Sequence, residues 1–200
     1  YVTEYQSYSA GGAGTSIWQF DLSGSDSSVS YRRYAGGAGG VNWDGNQSGG
    51  LTPLTALVTG GSPIQLDEDG SLYFLTRCTL AGAYDAPYNG TSNRPWRLLK
   101  LTQNPDGTPG TVTAFAGDCS VANPTSGTNR LEGPLINNYY STLFRFSVWN
   151  HGESLYYSGY GGAAKLYKII AGKTYVTNLS DVPNMAYDPV GNRLITTGFR

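Results

Sequence analysis

This chain carries very little with which to do acid–base or metal chemistry. It has one histidine, two cysteines and one methionine in 200 residues. A serine triad needs a histidine base held by a carboxylate, and the only candidate, His151, sits in the turn-like run Asn150-His151-Gly152. Zinc takes three or four His, Cys or carboxylate ligands, and one His with two distant Cys does not supply them. Cys78 and Cys119 do not form a CxxC pair, so that metal and redox signature is absent as well. No catalytic residue is assigned.

Charge is scarce too. Charged residues make up 14% of the chain, where about 25% is usual. The 13 Lys and Arg against 14 Asp and Glu leave a net charge of −1. The basic residues are scattered, and Arg32-Arg33 is the densest spot. Nucleic acid binding requires a clustered positive field that releases counterions from phosphates, so nucleic acid is set aside as a partner. No apolar run approaches the ~20 residues that span a bilayer, and no signal peptide is recognisable. The chain reads as a mature or excised piece.

Helical periodicity is the last absence. In its place 28 Gly and 10 Pro punctuate the sequence every few residues, among Ser, Thr, Asn and 16 tyrosines. This polar, uncharged, aromatic composition is common outside cells, and we expect an extracellular or cell-surface location. Sequons stand at Asn46, Asn89 and Asn178.

Strand signals are plentiful. Ile17 to Leu22 alternates Trp18, Phe20 and Leu22 on one side with Gln19 and Asp21 on the other. Other runs are apolar on both sides: Leu72-Tyr73-Phe74-Leu75, Leu155-Tyr156-Tyr157 and Leu166 to Ile170. A strand apolar on both sides must be covered on both, and stacked sheets supply that cover.

The pattern repeats. Ser62 to Asp67 turns through Asp67-Glu68-Asp69-Gly70 into Ser71 to Leu75. Phe144 to Trp149 turns through Asn150-His151-Gly152 into Ser154 to Ser158. Val182 to Asp188 turns through Gly191-Asn192 into Arg193 to Thr197. Each turn offers Asp or Asn near Gly, the chemistry of a tight reversal. A third strand follows at Ile17 to Leu22, Arg97 to Leu101 and Lys165 to Ile169, and a fourth at Val29 to Gly36 and Thr111 to Gly117. Four strands per unit, none able to bury its faces alone, describe a β-propeller blade.

In their order Ala35-Gly36, Asp44-Gly45, Pro63 and Asp67 through Gly70 to Leu72-Tyr73 resemble the NHL type of propeller repeat. The next unit keeps Ala116-Gly117 but carries Glu132-Gly133-Pro134 and Asn150-His151-Gly152. Thr174 to Asn178 also resembles a propeller repeat of bacterial and archaeal surface proteins. The resemblance implies an all-β fold of four-stranded antiparallel blades. We expect residues 1–40 to end one blade, 41–118 and 119–180 to form two more, and 181–200 to start another. That is about three blade equivalents, whereas closed propellers have at least about four. The expectation is therefore a portion of a six-bladed propeller from a longer polypeptide. Fold is nearly silent on function, since propellers host unrelated activities.

In a four-stranded meander, the second-to-third and blade-to-blade connections share one face of the disc. Here these are long, at Gly36 to Gly61, Cys78 to Pro95 and Gly117 to Thr142, with a small one at Gly159 to Gly162. The opposite turns are short. Connections beyond about 12 residues are usually functional or disordered, so the long-loop face is the candidate binding surface. It carries Trp43, Asp44, Asn46, Tyr84, Asp85, Tyr88, Asn93, Trp96, Asn137, Asn138, Tyr139, Tyr140 and Tyr160. Aromatic planes beside amides and carboxylates suit a glycan or a protein, and packing of the loops onto the disc would use the same residues. Cys78 and Cys119 begin connections on this face, which makes a disulfide between them the expectation in an oxidising compartment. Calcium has oxygen ligands on offer at Asn42 to Asn46 and at Asp67-Glu68-Asp69, without EF-hand spacing. Three roles follow: a recognition or adhesion module, a structural module of a surface filament or cell-wall assembly with itself as partner, or a propeller lyase or hydrolase with a central metal.

Overall fold

Where Asp or Asn precedes Gly between apolar runs, the chain reverses tightly and pairs with itself. A computed structural model describes residues 2–4, 16–21, 29–36, 64–77, 96–117, 126–131, 145–149, 154–158, 165–180, 184–188 and 190–197. Among these residues the fold is all-β and every strand pairing is antiparallel. Strands β1 (Val2–Glu4), β2 (Ser16–Asp21) and β3 (Ser30–Gly36) form a first sheet in chain order. A second, four-stranded sheet follows with β4 (Ile64–Leu66), β5 (Leu72–Arg77), β6 (Trp96–Gln103) and β7 (Pro109–Ala116). Next come β8 (Thr128–Asn129), β9 (Arg145–Trp149), β10 (Ser154–Ser158), β11 (Lys165–Ile170) and β12 (Lys173–Ser180), a third sheet in the order β8-β12-β11-β10-β9. Strands β13 (Asn184–Asp188) and β14 (Arg193–Thr197) pair as a two-stranded fourth sheet.

Side-chain alternation turns these sheets into a stack. On one face of the second sheet, Leu72, Phe74, Leu99, Leu101 and Val112 pack with Ile17, Tyr34 and Ala35 of the first. On its other face, Tyr73, Leu75, Leu98, Phe115 and Ala116 pack with Phe146, Val148 and Ile169 of the third. The second sheet is thus a middle layer, and its run Leu72 to Leu75, apolar on both sides in the sequence, is buried on both sides. Each such Leu or Phe contributes roughly 1.5–3 kcal/mol by leaving water.

The repeat extends to irregularities. In the first sheet Ile17 opposes Ala35 and Trp18 opposes Arg33, so Tyr34 is an extra residue in β3. In the second, Leu98 opposes Ala116 and Leu99 opposes Ala114, so Phe115 is extra in β7. A register shift falls at the same place in the third, between Lys165 and Tyr167. A bulge increases local twist and re-aims a side chain. Tyr34 and Phe115 both turn toward the following sheet, with 0% and 4% of their surface exposed.

One expectation changes, and the alternation of β2 gains a direction. The side of β2 bearing Trp18 and Phe20 is not the core side: Ile17 is fully buried, while Phe20 is 40% exposed. Alternation along β2 sends Ile17 toward the second sheet and leaves Trp18 and Phe20 on the outer face of the first. Part of the connection from Gly117 to Thr142 also leaves the rim assigned to it. Its strand β8 pairs with Lys173 and Thr174 at the outer edge of the third sheet, covering backbone groups that an edge strand otherwise leaves open.

The β11–β12 reversal has two residues, Ala171 and Gly172, between the pair Ile170 and Lys173. Both have positive φ, 47° and 73°, the geometry of a type I′ turn. Alanine is strained there by its Cβ. We expect Ala171→Asn to raise stability by about 0.5–1 kcal/mol, because asparagine tolerates the left-handed region. Leu99→Ala in the middle layer should lower it by about 2–5 kcal/mol. Urea unfolding midpoints of both variants check the pair.

Candidate functional site

Antiparallel register gives each sheet two unlike ends. In the second sheet the turns at 67–71 and 104–108 lie at one end, near the pair Leu72 and Leu101. The pair Arg77 and Trp96 marks the other end, where the 78–95 connection leaves and returns and where β7 runs out at Ala116. Here Arg97, 5% exposed, donates from Nε to the carbonyl of Gly117 at 3.3 Å. That contact ties the return of one long connection to the departure of the next. Glycine at 117 has φ 82°, a turn that an L side chain would resist. Nothing in the sequence singled out Arg97, since a strand arginine reads as solvated until its partner carbonyl is known.

Trp96 opens β6 at this end. Trp43, Asp44, Asn46, Tyr84, Asp85, Tyr88, Asn93, Asn137, Asn138, Tyr139, Tyr140 and Tyr160 lie outside the described residues, as do Cys78, Cys119 and His151. Arg77 and Ala116 end β5 and β7, which flank β6. Both strands run out at the same end of the sheet, on either side of β6.

The short-turn end is built around Asp67, whose side chain is fully buried. One carboxylate oxygen accepts from the backbone N–H of Asp69 at 3.0 Å and of Ser71 at 2.9 Å. The other accepts from the Tyr73 hydroxyl at 3.0 Å and faces Lys100 Nζ at 3.5 Å. The Lys100 ammonium stands 5.5 Å from the Tyr73 ring centre. That ring meets Phe115 edge-on at 5.0 Å, and the Arg130 guanidinium covers Phe115 at 4.3 Å. With these contacts the Asp67 carboxylate is engaged as the cap of the β4–β5 hairpin. Asp188 repeats the device, accepting from the N–H groups of Val190 and Gly191 and pairing with Arg193. Those hydrogen bonds, the Gly191 amide first and then Arg193, hold its carboxyl below the usual range. Asp106 is lowered in the same way by Thr108. Among the described residues no three His, Cys, Asp or Glu side chains gather as a metal site.

Arg32 and Arg33, adjacent in sequence, point to opposite faces of β3. Arg32 donates to Gln19 at 2.7 Å and to the Gly107 carbonyl at 2.6 Å. Arg33 lies 5.5 Å over the Trp18 ring. Neither side chain adds to a continuous basic surface.

No protein-family model matches this chain, and no curated protein or solved structure does.

Burial, then the charge of Asp67 and the hydrogen bond to it, push the Tyr73 hydroxyl well above its ordinary value of 10.0. The folded chain therefore keeps that proton where the unfolded chain loses it. The associated stability is fully present below about pH 10 and declines as pH rises above it. Tyr73→Phe should flatten this alkaline loss relative to the parent protein. At pH 7 it should cost about 1–3 kcal/mol for the lost hydrogen bond to a carboxylate. Urea unfolding at pH 7 and at several values above pH 10 separates the two effects.

Proposed function

We propose that this chain is part of a β-propeller of NHL-like blades that recognises a glycan or protein outside the cell through the connections at one rim. The observation that carries the reading is the two-ended build of the second sheet. Tight, self-capped turns occupy one end, and the bases of two long connections, joined by Arg97 and Gly117, occupy the other.

Other features support a radial arrangement. Strand β4 lies beside β9 and β9 beside β13, so the first strands of successive sheets form a series. The outermost strand of one sheet reaches the third-to-fourth-strand turn of the next, twice. Arg32 of β3 bonds the Gly107 carbonyl, while the Gly117 amide after β7 bonds Arg130, whose amide bonds Gly172. A propeller blade makes this relation to its neighbour through its strongly twisted outer strand. The NHL likeness itself rests on the sequence motif. The loop aromatics Trp43, Tyr84, Tyr88, Tyr139, Tyr140 and Tyr160, with Asp44, Asn46, Asp85 and Asn137, would supply ring faces and polar partners to the ligand.

Glycan and surface-protein arrays, followed by titration, test the reading. Trp43→Ala and Tyr139→Ala should weaken binding about tenfold or more, while Asn104→Ala at the short-turn end should leave it unchanged. Binding insensitive to both loop substitutions, or no binding by the parent protein, would falsify it. Peptide mapping under non-reducing conditions should find Cys78 linked to Cys119. Reduction of a bridge closing a loop of this size should cost about 4 kcal/mol. Two free thiols in the secreted protein would remove the bridge from the proposal.

A further inference from the structure

Of the three sequons, Asn46 and Asn89 lie outside the described residues, while Asn178-Leu179-Ser180 falls within β12. Its place in that strand is irregular. Lys165 opposes Ser180 and Tyr167 opposes Val176, so Thr177, Asn178 and Leu179 all stand opposite the single residue Leu166. The bulges at the corresponding place in the first two sheets hold one residue fewer. Tyr34 and Ala35 stand opposite Ile17, and Phe115 and Ala116 opposite Leu98. Those four bulge residues are apolar and buried.

The third sheet fills its longer bulge differently. Thr177 is half-buried and donates its hydroxyl to the Leu166 carbonyl at 2.8 Å, which pins one side of the bulge. Asn178, the next residue, is exposed. Extra residues in a bulge drop out of the ladder and have their side chains re-aimed; here the side chain that reaches solvent is a carboxamide. The edge beside it is open as well. Only the two-residue β8 lies outside β12, and it pairs with Lys173 and Thr174. Among the described residues no strand pairs with that outer edge from Tyr175 onward. The added residue and its polarity belong to β12 itself, whatever polypeptide flanks the sheets.

We propose that Asn178 is the acceptor of an N-linked glycan. The sequon supplies the residue types the reaction requires, with Leu179 rather than proline at its centre. In the transfer, Nδ2 of Asn178 bonds to the anomeric carbon of a lipid-pyrophosphate-linked oligosaccharide. The bond from that carbon to the pyrophosphate oxygen breaks, its electron pair leaves with the lipid pyrophosphate, and the amide nitrogen gives up one proton to a base of the transferase. The glycan stands beside the open stretch of edge beyond β8, where a bulky polar group keeps a foreign strand from pairing. This inference rests on the extracellular location proposed above, because donor and transferase act on chains leaving the cytoplasm.

Peptide mapping of the native protein tests it. Trypsin releases residues 174–193 as one peptide, since no Lys or Arg interrupts them before Arg193. Peptide N-glycosidase in water enriched in heavy oxygen converts a glycosylated Asn178 to a labelled aspartate. Asn184 and Asn192 share the peptide without a sequon and serve as internal controls. The label should appear at Asn178 in most copies of the protein. The 200-residue chain, secreted behind a signal sequence by cells that glycosylate asparagine, should show the same label. Asn178→Gln and Ser180→Ala should abolish it there, and Ser180→Thr should keep it. An unlabelled Asn178 in either secreted form overturns the inference and leaves the extracellular location standing. Native protein confined to the cytoplasm overturns both.

Discussion

Everything described here depends on the second sheet having two apolar faces. In β5, Leu72 and Phe74 point one way and Tyr73 and Leu75 the other. In β6, Leu98 is set against Leu99 and Leu101 in the same manner. A sheet of this kind is insoluble alone and stable only between two others. The first and third sheets each cover one of its faces, and the cost of leaving either face wet is several buried side chains at about 1.5–3 kcal/mol apiece. Stacking follows from the alternation, and the unlike ends of the sheets become rims of the stack.

Polar groups are arranged around this apolar demand. Lys100 lies within the middle sheet between Leu99 and Leu101, yet its ammonium finds Asp67 and the Tyr73 ring. The register sets Tyr73 directly across from Lys100, which brings the cation and the ring together beside the carboxylate. Asp67 closes its hairpin and anchors Tyr73 with one carboxylate. A buried charge survives only with several such partners, which explains why turn, strand and lysine meet at one point.

Much of the architecture was legible because strands announce themselves locally. Turns with Asp or Asn near Gly, and runs such as Leu72 to Leu75, carry their meaning within a few residues. The direction of the β2 face was not legible, because Ile17 and Trp18 are both apolar and only the second sheet packed beside them decides which turns inward. Strand β8 was missed for a related reason: Thr128-Asn129 is too short to show alternation and gains strand geometry only from the edge of β12. Of the candidate binding residues, Trp96 is placed by its pairing opposite Arg77. The rest of that set depends on loops whose form no local pattern specifies. Arg97 escaped notice since its role exists only once Gly117 is beside it.

The handling of edges decides how the sheets meet one another. A sheet can recruit unwanted partners through its edge strands or through its faces. At the inner edge of the third sheet, the Gln65 side chain acts as a surrogate peptide group. Its amide donates to the Val148 carbonyl and its oxygen accepts from the Val148 amide, both at 3.1 Å. At the outer edge of the same sheet, β8 pairs with β12, and the amides of Gly127 and Arg130 bond Thr174 and Gly172. Where these contacts fall, the backbone of the third sheet offers nothing to a foreign strand, and its contacts with neighbours pass through side-chain faces. The faces carry the contact: Phe146, Val148 and Ile169 of the third sheet lie against Tyr73, Leu75, Leu98 and Phe115 of the second.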